Sequence, residues 1–271
     1  MLLRLAVAVV GVPLVILLFF FLHPVFLLVG LSVVSALTAF ELIYSTGYLK
    51  DIPVLVVSML FAAALPTWIY LGERGDFLDL GLFLFVLIVF ALCMARKKQA
   101  DPKNIFFAFT ASFLLPYFLS EIIVLVRDYP PIVALFPLAI AWFTDAMAFF
   151  VGIAFGRHKL APRISPKKTV EGFAGGMLGG ILAAVGIGIA GQLYFDLTPQ
   201  FFLLIPIGIV GSLVAQMGDL AFSFIKRSVG VKDFGSVMPG HGGILDRFDS
   251  LLFVAPYVSI CMAFLGKLFY V

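Results

Sequence analysis

The stretch from Ser223 to Asp249, SFIKRSVGVKDFGSVMPGHGGILDRFD, gathers lysines, arginines, aspartates, a histidine and glycines inside a chain that is otherwise close to unbroken hydrocarbon. Ionisable groups persist in such surroundings only where structure or function compensates for their desolvation, so this density marks a functional site. Its loop holds Lys232, Asp233, Gly235, Pro239, Gly240, His241, Gly242 and Gly243, followed by Asp246, Arg247 and Asp249 where the last helix begins. Glycines let backbone N–H groups approach a phosphate, lysine and arginine supply charge, and arginine can grip an anion through two parallel hydrogen bonds. The acids would repel that phosphate unless a cation lay between them. Oxygen ligands beside phosphate point to Mg²⁺, which takes one or two carboxylates and fills its other positions with water and substrate oxygens.

Asp246 and Asp249 are three residues apart and share a helical face, onto which Asp219 can converge from the preceding helix. Three acids with Lys226, Arg227, Lys232 and Arg247 around a glycine-rich turn describe metal-assisted phosphoryl or nucleotidyl transfer. Asp219, Asp246 and Asp249 are the expected metal ligands, and three acids leave room for a second cation. His241 reads equally as a phosphate donor or acid/base group and as a turn residue that satisfies backbone carbonyls. The barrier in such a transfer is charge, so an essential protein base is not required.

Ahead of the loop, Ser212, Gln216, Asp219, Ser223 and Lys226 recur at helical spacing and form one stripe with Arg227 adjacent. A polar stripe on a buried helix must face a cavity or a partner; a hydrogen-bonded packing seam is the plainer alternative. A second basic loop runs Ser165, Pro166, Lys167, Lys168, Thr169, Val170, Glu171, Gly172 at the start of the seventh apolar segment. It serves as a topological anchor or as an anion site, since helix N-terminal N–H groups and the macrodipole favour phosphate. Thr144 and Asp145 lie inside the sixth segment, with Gly152 and Gly156 on the same side, and an aspartate there needs a partner from another helix. Glu41 and Glu121 are the main acids of the first half; each could be a functional carboxylate, but a single acid near a helix end is more often interfacial or paired with a neighbour.

These groups need a scaffold, and composition says which. Of 271 residues 63% are hydrophobic and 12% charged, which excludes a soluble globular domain and leaves an all-α, polytopic integral membrane protein. A helical span takes roughly 20 apolar residues. About nine such segments are expected, near 2–22, 25–46, 53–72, 77–95, 104–126, 131–156, 170–195, 201–225 and 249–270. They form one membrane domain, with helices in 1–126 and a second set in 127–271 carrying the site. The first segment lacks an A-x-A cleavage pattern and is expected to be retained. Fifteen of the 18 basic residues fall in loops on one side, leaving Arg74, Arg127 and Lys267 on the other. That places the basic loops in the cytoplasm of a protein integral to the cell (inner) membrane. Cys93 and Cys261 fall inside spans, so no disulfide framework is expected. Gly172, Gly176, Gly180, Ala184 and Gly188 make a flat ridge suited to helix packing or a subunit contact, and a homodimer is plausible on that ground.

The Ser223 to Asp249 segment closely resembles the signature of phosphatidate cytidylyltransferases, which runs Ser-x-apolar-Lys-Arg, four residues, Lys-Asp, then His-Gly-Gly-apolar-apolar-Asp-Arg-apolar-Asp. Every polar position of that pattern is present at the same spacing, with Met238 before Pro239 where the family usually has Leu, Ile or Phe. Ser165 to Gly172 resembles the family's Ser-Pro-Lys-Lys-Thr-x-Glu-Gly motif, and the Asp145 region its preceding helix, with Phe149 where tyrosine is common. The resemblance covers the second half in detail and the first half only in hydrophobic character.

It implies the reaction CTP + phosphatidate → CDP-diacylglycerol + pyrophosphate at the membrane surface. The residues it implies are Asp219, Asp246, Lys226, Arg227, Arg247 and His241 for the chemistry. For substrate it implies Asp145, Lys167, Lys168, Thr169, Glu171, Ser223, Lys232, Asp233, Gly242 and Gly243. Its partners would be CTP, phosphatidate and membrane lipid, with Mg²⁺ as cofactor and no nucleic acid. Two other readings stay open: an ion-coupled transporter using Asp145, Glu171 and Asp219 as a relay, and a transferase acting on another lipid phosphate.

Overall fold

Inside a bilayer no water is available to satisfy backbone N–H and C=O groups, so an apolar span closes its hydrogen bonds internally as a helix. The computed structural model describes residues 13–47, 51–71, 76–95, 102–235, 242–265 and 269–270. Among the described residues eight helices are long and apolar enough to cross a membrane, and the protein is an all-α polytopic membrane protein. The first expected span lies largely outside the described residues; its described part, residues 13–20, is helical (α1).

The order continues with α2 Pro24–Thr46, α3 Ile52–Tyr70, α4 Asp76–Ala95, α5 Pro102–Phe109, a π-helical segment Thr110–Leu114, α6 Leu115–Asp128, the short α7 Pro131–Ala134 and α8 Phe136–Phe155. There follow β1 Lys159–Ala161, β2 Ser165–Thr169, α9 Val170–Phe195, β3 Thr198–Pro199, α10 Phe201–Ser228, α11 Leu245–Phe264 and β4 Phe269–Tyr270. The last helix starts at Leu245 rather than near residue 249, which brings Asp246 into its first turn. The strands make two antiparallel pairs, β1 with β2 and β3 with β4. Neither pair was expected, because stretches this short carry no readable alternation.

The chain divides into two compact units. The first comprises residues 1–127 and 229–247. In it α2 packs along α3, and Phe61 stacks on Phe85 with ring centroids 4.3 Å apart. The π-helical segment precedes Pro116, whose ring nitrogen has no hydrogen to donate. There the Leu115 N–H reaches back five residues to the Thr110 carbonyl.

The second unit comprises 128–228 and 248–271 and is built on α9. The glycine ridge expected on this helix is an intramolecular packing device with two faces. A Cβ on Gly175 would lie 2.5 Å from the Val151 side chain of α8, whereas one on Gly176 would lie 2.8 Å from Gln216 of α10. Gly180 and Gly208 meet backbone to backbone on the α10 face. Absence of side chains thus lets α9 lie close to both neighbours, the arrangement that favours helix association in lipid.

Candidate active site

Within the second unit, Thr169 ends β2 with an extended backbone and its hydroxyl accepts the N–H of Gly172 at 3.1 Å, capping α9. The cap turns the chain from strand to helix and leaves Lys167 and Lys168 on the strand just ahead of the helix N-terminus. From there the Lys168 ammonium pairs with Asp219 Oδ2 of α10 at 2.5 Å, while Asp219 Oδ1 accepts the Ser223 hydroxyl at 3.2 Å one turn on. Asp145 of α8 lies within electrostatic reach of Asp219 and Lys168. Asp249 of α11 lies within reach of Asp219, Asp145 and the buried Lys226. Three carboxyl groups thus stand against two ammonium groups.

A cavity of about 560 Å³ opens beside this cluster, lined by Asp145, Phe149, Lys159, Lys167, Lys168 and Asp219 among others. Gly152 and Gly172 carry no side chain where α8 and α9 meet at its wall; a Cβ on Gly172 would come within 2.7 Å of the Ala148 carbonyl. Other members of the expected set hold the frame. Glu171 accepts the backbone N–H groups of Arg157 at 3.0 Å and His158 at 3.2 Å, and its Oε1 lies 2.6 Å from His158 Nδ1. Arg227 donates from Nε to the Ile164 carbonyl at 3.4 Å, tying the end of α10 to the β1–β2 turn. The lower end of the polar stripe is a packing seam: Gln216 donates to the Phe173 carbonyl at 3.2 Å, and the Ser212 hydroxyl bonds its own helix at Ile209.

The first unit holds the signature loop. Asp246 Oδ2 accepts the N–H groups of Phe234 at 2.9 Å and Gly243 at 3.0 Å. Gly242 adopts φ +84°, a left-handed conformation natural to glycine, and a Cβ there would stand 3.3 Å from Asp246 and 3.5 Å from Asp233. Lys232, Asp233 and Arg247 are exposed. His241 lies outside the described residues.

Two residues that sequence reasoning left aside prove central to these surroundings. Lys159 lines the cavity, although it was counted only among the topological charges. Glu41, 1% exposed, finds partners in the backbone of a distant segment: it accepts the N–H groups of Ile244 at 2.9 Å and Leu245 at 2.7 Å. A lone glutamate in a long apolar helix was the available signal, but nothing in its sequence neighbourhood names a partner two hundred residues on.

A divalent cation is implied by the sequence pattern. Among the described residues no three His, Cys, Asp or Glu side chains stand close enough to share one ion. The carboxyl groups gathered around Asp219 nevertheless suit an ion of the Mg²⁺ type, which needs only one or two protein carboxylates when water and substrate oxygens complete its shell.

A profile of the cytidylyltransferase family matches residues 2–265. Among curated proteins, phosphatidate cytidylyltransferase of Staphylococcus epidermidis is 48% identical over 128 residues, covering 47% of this chain and 48% of the relative. The proteins of the same name from Staphylococcus saprophyticus and Staphylococcus aureus are each 44% identical, over 128 and 129 residues. The matched stretch spans about half the length of these relatives.

Proposed function

The chain belongs to the cytidylyltransferase family, and from that premise we propose that it transfers the CMP group of CTP to phosphatidate, releasing pyrophosphate and forming CDP-diacylglycerol. The observation that carries this reading is the Lys168–Asp219 pair beside a cavity lined by three lysines, set among helices long and apolar enough to cross a membrane. A soluble triphosphate calls for cytoplasmic cationic groups; a lipid phosphate calls for a site reached from the bilayer. Both demands are met by a pocket whose lining includes Lys159, Lys167 and Lys168 as well as Phe149 and Ile153.

In the reaction a phosphatidate phosphate oxygen attacks the α-phosphorus of CTP in line, and the α–β bridging oxygen leaves with the bonding electrons as pyrophosphate. Mg²⁺, when bound, neutralises triphosphate charge and makes pyrophosphate a better leaving group. Asp219 would hold it with Asp249 as the second carboxylate; a metal role for Asp246 rests on the signature resemblance alone. Lys168 has two roles in sequence. It neutralises Asp219 before substrate arrives, then turns its charge to phosphate oxygens. Lys167 and Lys159 supply further charge along the cavity, and Thr169 keeps the strand and helix in the register that presents them. Arg247 and Lys226 take phosphate-binding roles implied by the resemblance, and the site faces the cytoplasm of the cell membrane.

The test is pyrophosphate release by the purified, detergent-solubilised protein with CTP, phosphatidate and Mg²⁺ each omitted in turn. Release requiring all three supports the proposal. No release from folded protein rejects it, and release with a different lipid phosphate reassigns the acceptor.

A further inference from the structure

The acids assigned to chemistry all lie in the second half of the sequence, yet the most completely buried carboxylate contacting the signature loop comes from the first. A helix N-terminus leaves its first N–H groups without partners inside the helix. In a membrane protein, water cannot be relied on to satisfy them. At the start of α11 the consecutive N–H groups of Gly243, Ile244 and Leu245 point to two carboxylates: Asp246 takes the first, and Glu41 of α2 takes the next two. The two bonds to Glu41 are short, and its carboxyl group stands at the positive end of the α11 dipole.

The loop is shaped around this carboxylate. A Cβ on Gly235 would come within 2.5 Å of Glu41 Oε1, and one on Gly243 within 2.5 Å of Oε2. These glycines were expected to let backbone approach a phosphate. Their missing side chains instead make room for Glu41, which is clamped between both ends of the loop.

We propose that Glu41 is a positioning residue for the signature loop: its carboxylate fixes the backbone of residues 243–245 and thereby the rotamer and placement of Asp246, and Gly243 is glycine to admit it. The catalytic part of this inference rests on the proposed function; the anchoring part does not.

The experiment uses the full-length protein in detergent, comparing wild type with E41Q, E41A, G243A and E41Q/G243A. E41Q keeps the shape but replaces one acceptor oxygen with a donor. Hydrogen–deuterium exchange is followed for the peptide spanning 242–248, with α8 and α9 peptides as reference. Exchange of the loop peptide is expected to rise about tenfold or more in E41Q, the scale of a lost charge-assisted hydrogen bond, with the reference peptides unchanged. Turnover is expected to fall while the Mg²⁺ concentration for half-maximal rate rises. G243A should reproduce both effects, and the double variant should be no worse than either single one, since all remove the same contact.

Wild-type exchange at 242–248 in E41Q overturns the anchor. Exchange raised equally in all peptides assigns Glu41 to general stability and overturns it too, and E41Q decides the matter even if E41A does not fold. Additive losses in the double variant show that Gly243 serves something other than admitting Glu41. If loop exchange rises but the Mg²⁺ dependence stays at the wild-type value, the positioning of Asp246 is refuted. If wild type itself makes no CDP-diacylglycerol, the proposed function fails while the exchange result still decides the anchor.

Discussion

Lys168 Nζ stands 2.5 Å from Asp219 Oδ2, joining the basic motif ahead of α9 to the polar stripe of α10. Neither side chain is fully buried, at 25% and 27% exposed, and both line the same cavity. On the proposed function, Lys168 holds the carboxylate that would later face a cation and a triphosphate, and this counter-ion would have to change partner. That arrangement separates a catalytic pair from a structural one by experiment.

D219N should lower turnover by about 10²–10³-fold, the scale of removing one electrostatic stabiliser from an active site, and K168A should lower turnover while raising KM for CTP. The exchanged pair K168D/D219K restores the ion pair but not the separate duties of its members. It should remain inactive in the pyrophosphate assay. Recovery of activity by the swap would mean that the pair serves only to hold β2 against α10.

Chelation of divalent cations should stop product formation, and added Mg²⁺ should restore it. Because a ligand that binds only the folded state stabilises it by mass action, Mg²⁺ with CTP should raise the thermal midpoint of wild type. D219N should show little of that rise. An equal rise in D219N would remove Asp219 from the cation site.

The contrast between G180A and G186A tests the packing of α9. A methyl on Gly180 would run into the Gly208 carbonyl and the Ser212 side chain, while Gly186 has nothing within 4 Å. Overpacking of this kind costs about 1–3 kcal/mol, so G180A should lower the unfolding midpoint. A substitution into open space stays within about 0.5 kcal/mol, and G186A should leave the midpoint unmoved.

T169A removes the hydroxyl that caps α9 and should cost about 1 kcal/mol. Since that cap sets the strand carrying Lys167 and Lys168, KM for CTP should rise in T169A and return toward wild type in T169S. A stability loss with unchanged KM would confine Thr169 to the helix terminus.

Replacing His158 is the complementary control. Its contact to Glu171 is a solvent-exposed pair, with the histidine side chain 78% exposed, and such pairs contribute little to stability. H158A should therefore leave folding and turnover near wild type. E171A loses in addition the acceptor for two backbone N–H groups, so it should destabilise the segment leading into β1, read as faster proteolysis there.

Hydropathy by itself determined the membrane class and, within a few residues, the helices α2 to α6 and α8 to α10, because apolar length is a local property that the bilayer reads directly. The spacing of polar residues from Ser223 to Asp249 and from Ser165 to Gly172 likewise marked the candidate site, since ionisable groups in hydrocarbon need a reason to be there. Partnership was decided only by the tertiary structure. Periodicity places Asp219 on a stripe but does not say that Lys168 is its counter-ion, and it gave the glycine ridge of α9 one face where packing uses two. It left Glu41 without a partner because the groups that compensate its burial are backbone N–H donors at the start of α11, which no side-chain pattern records. A buried charge is stabilised by whatever polar groups the fold brings within about 3 Å, and that proximity exists only once distant segments have packed.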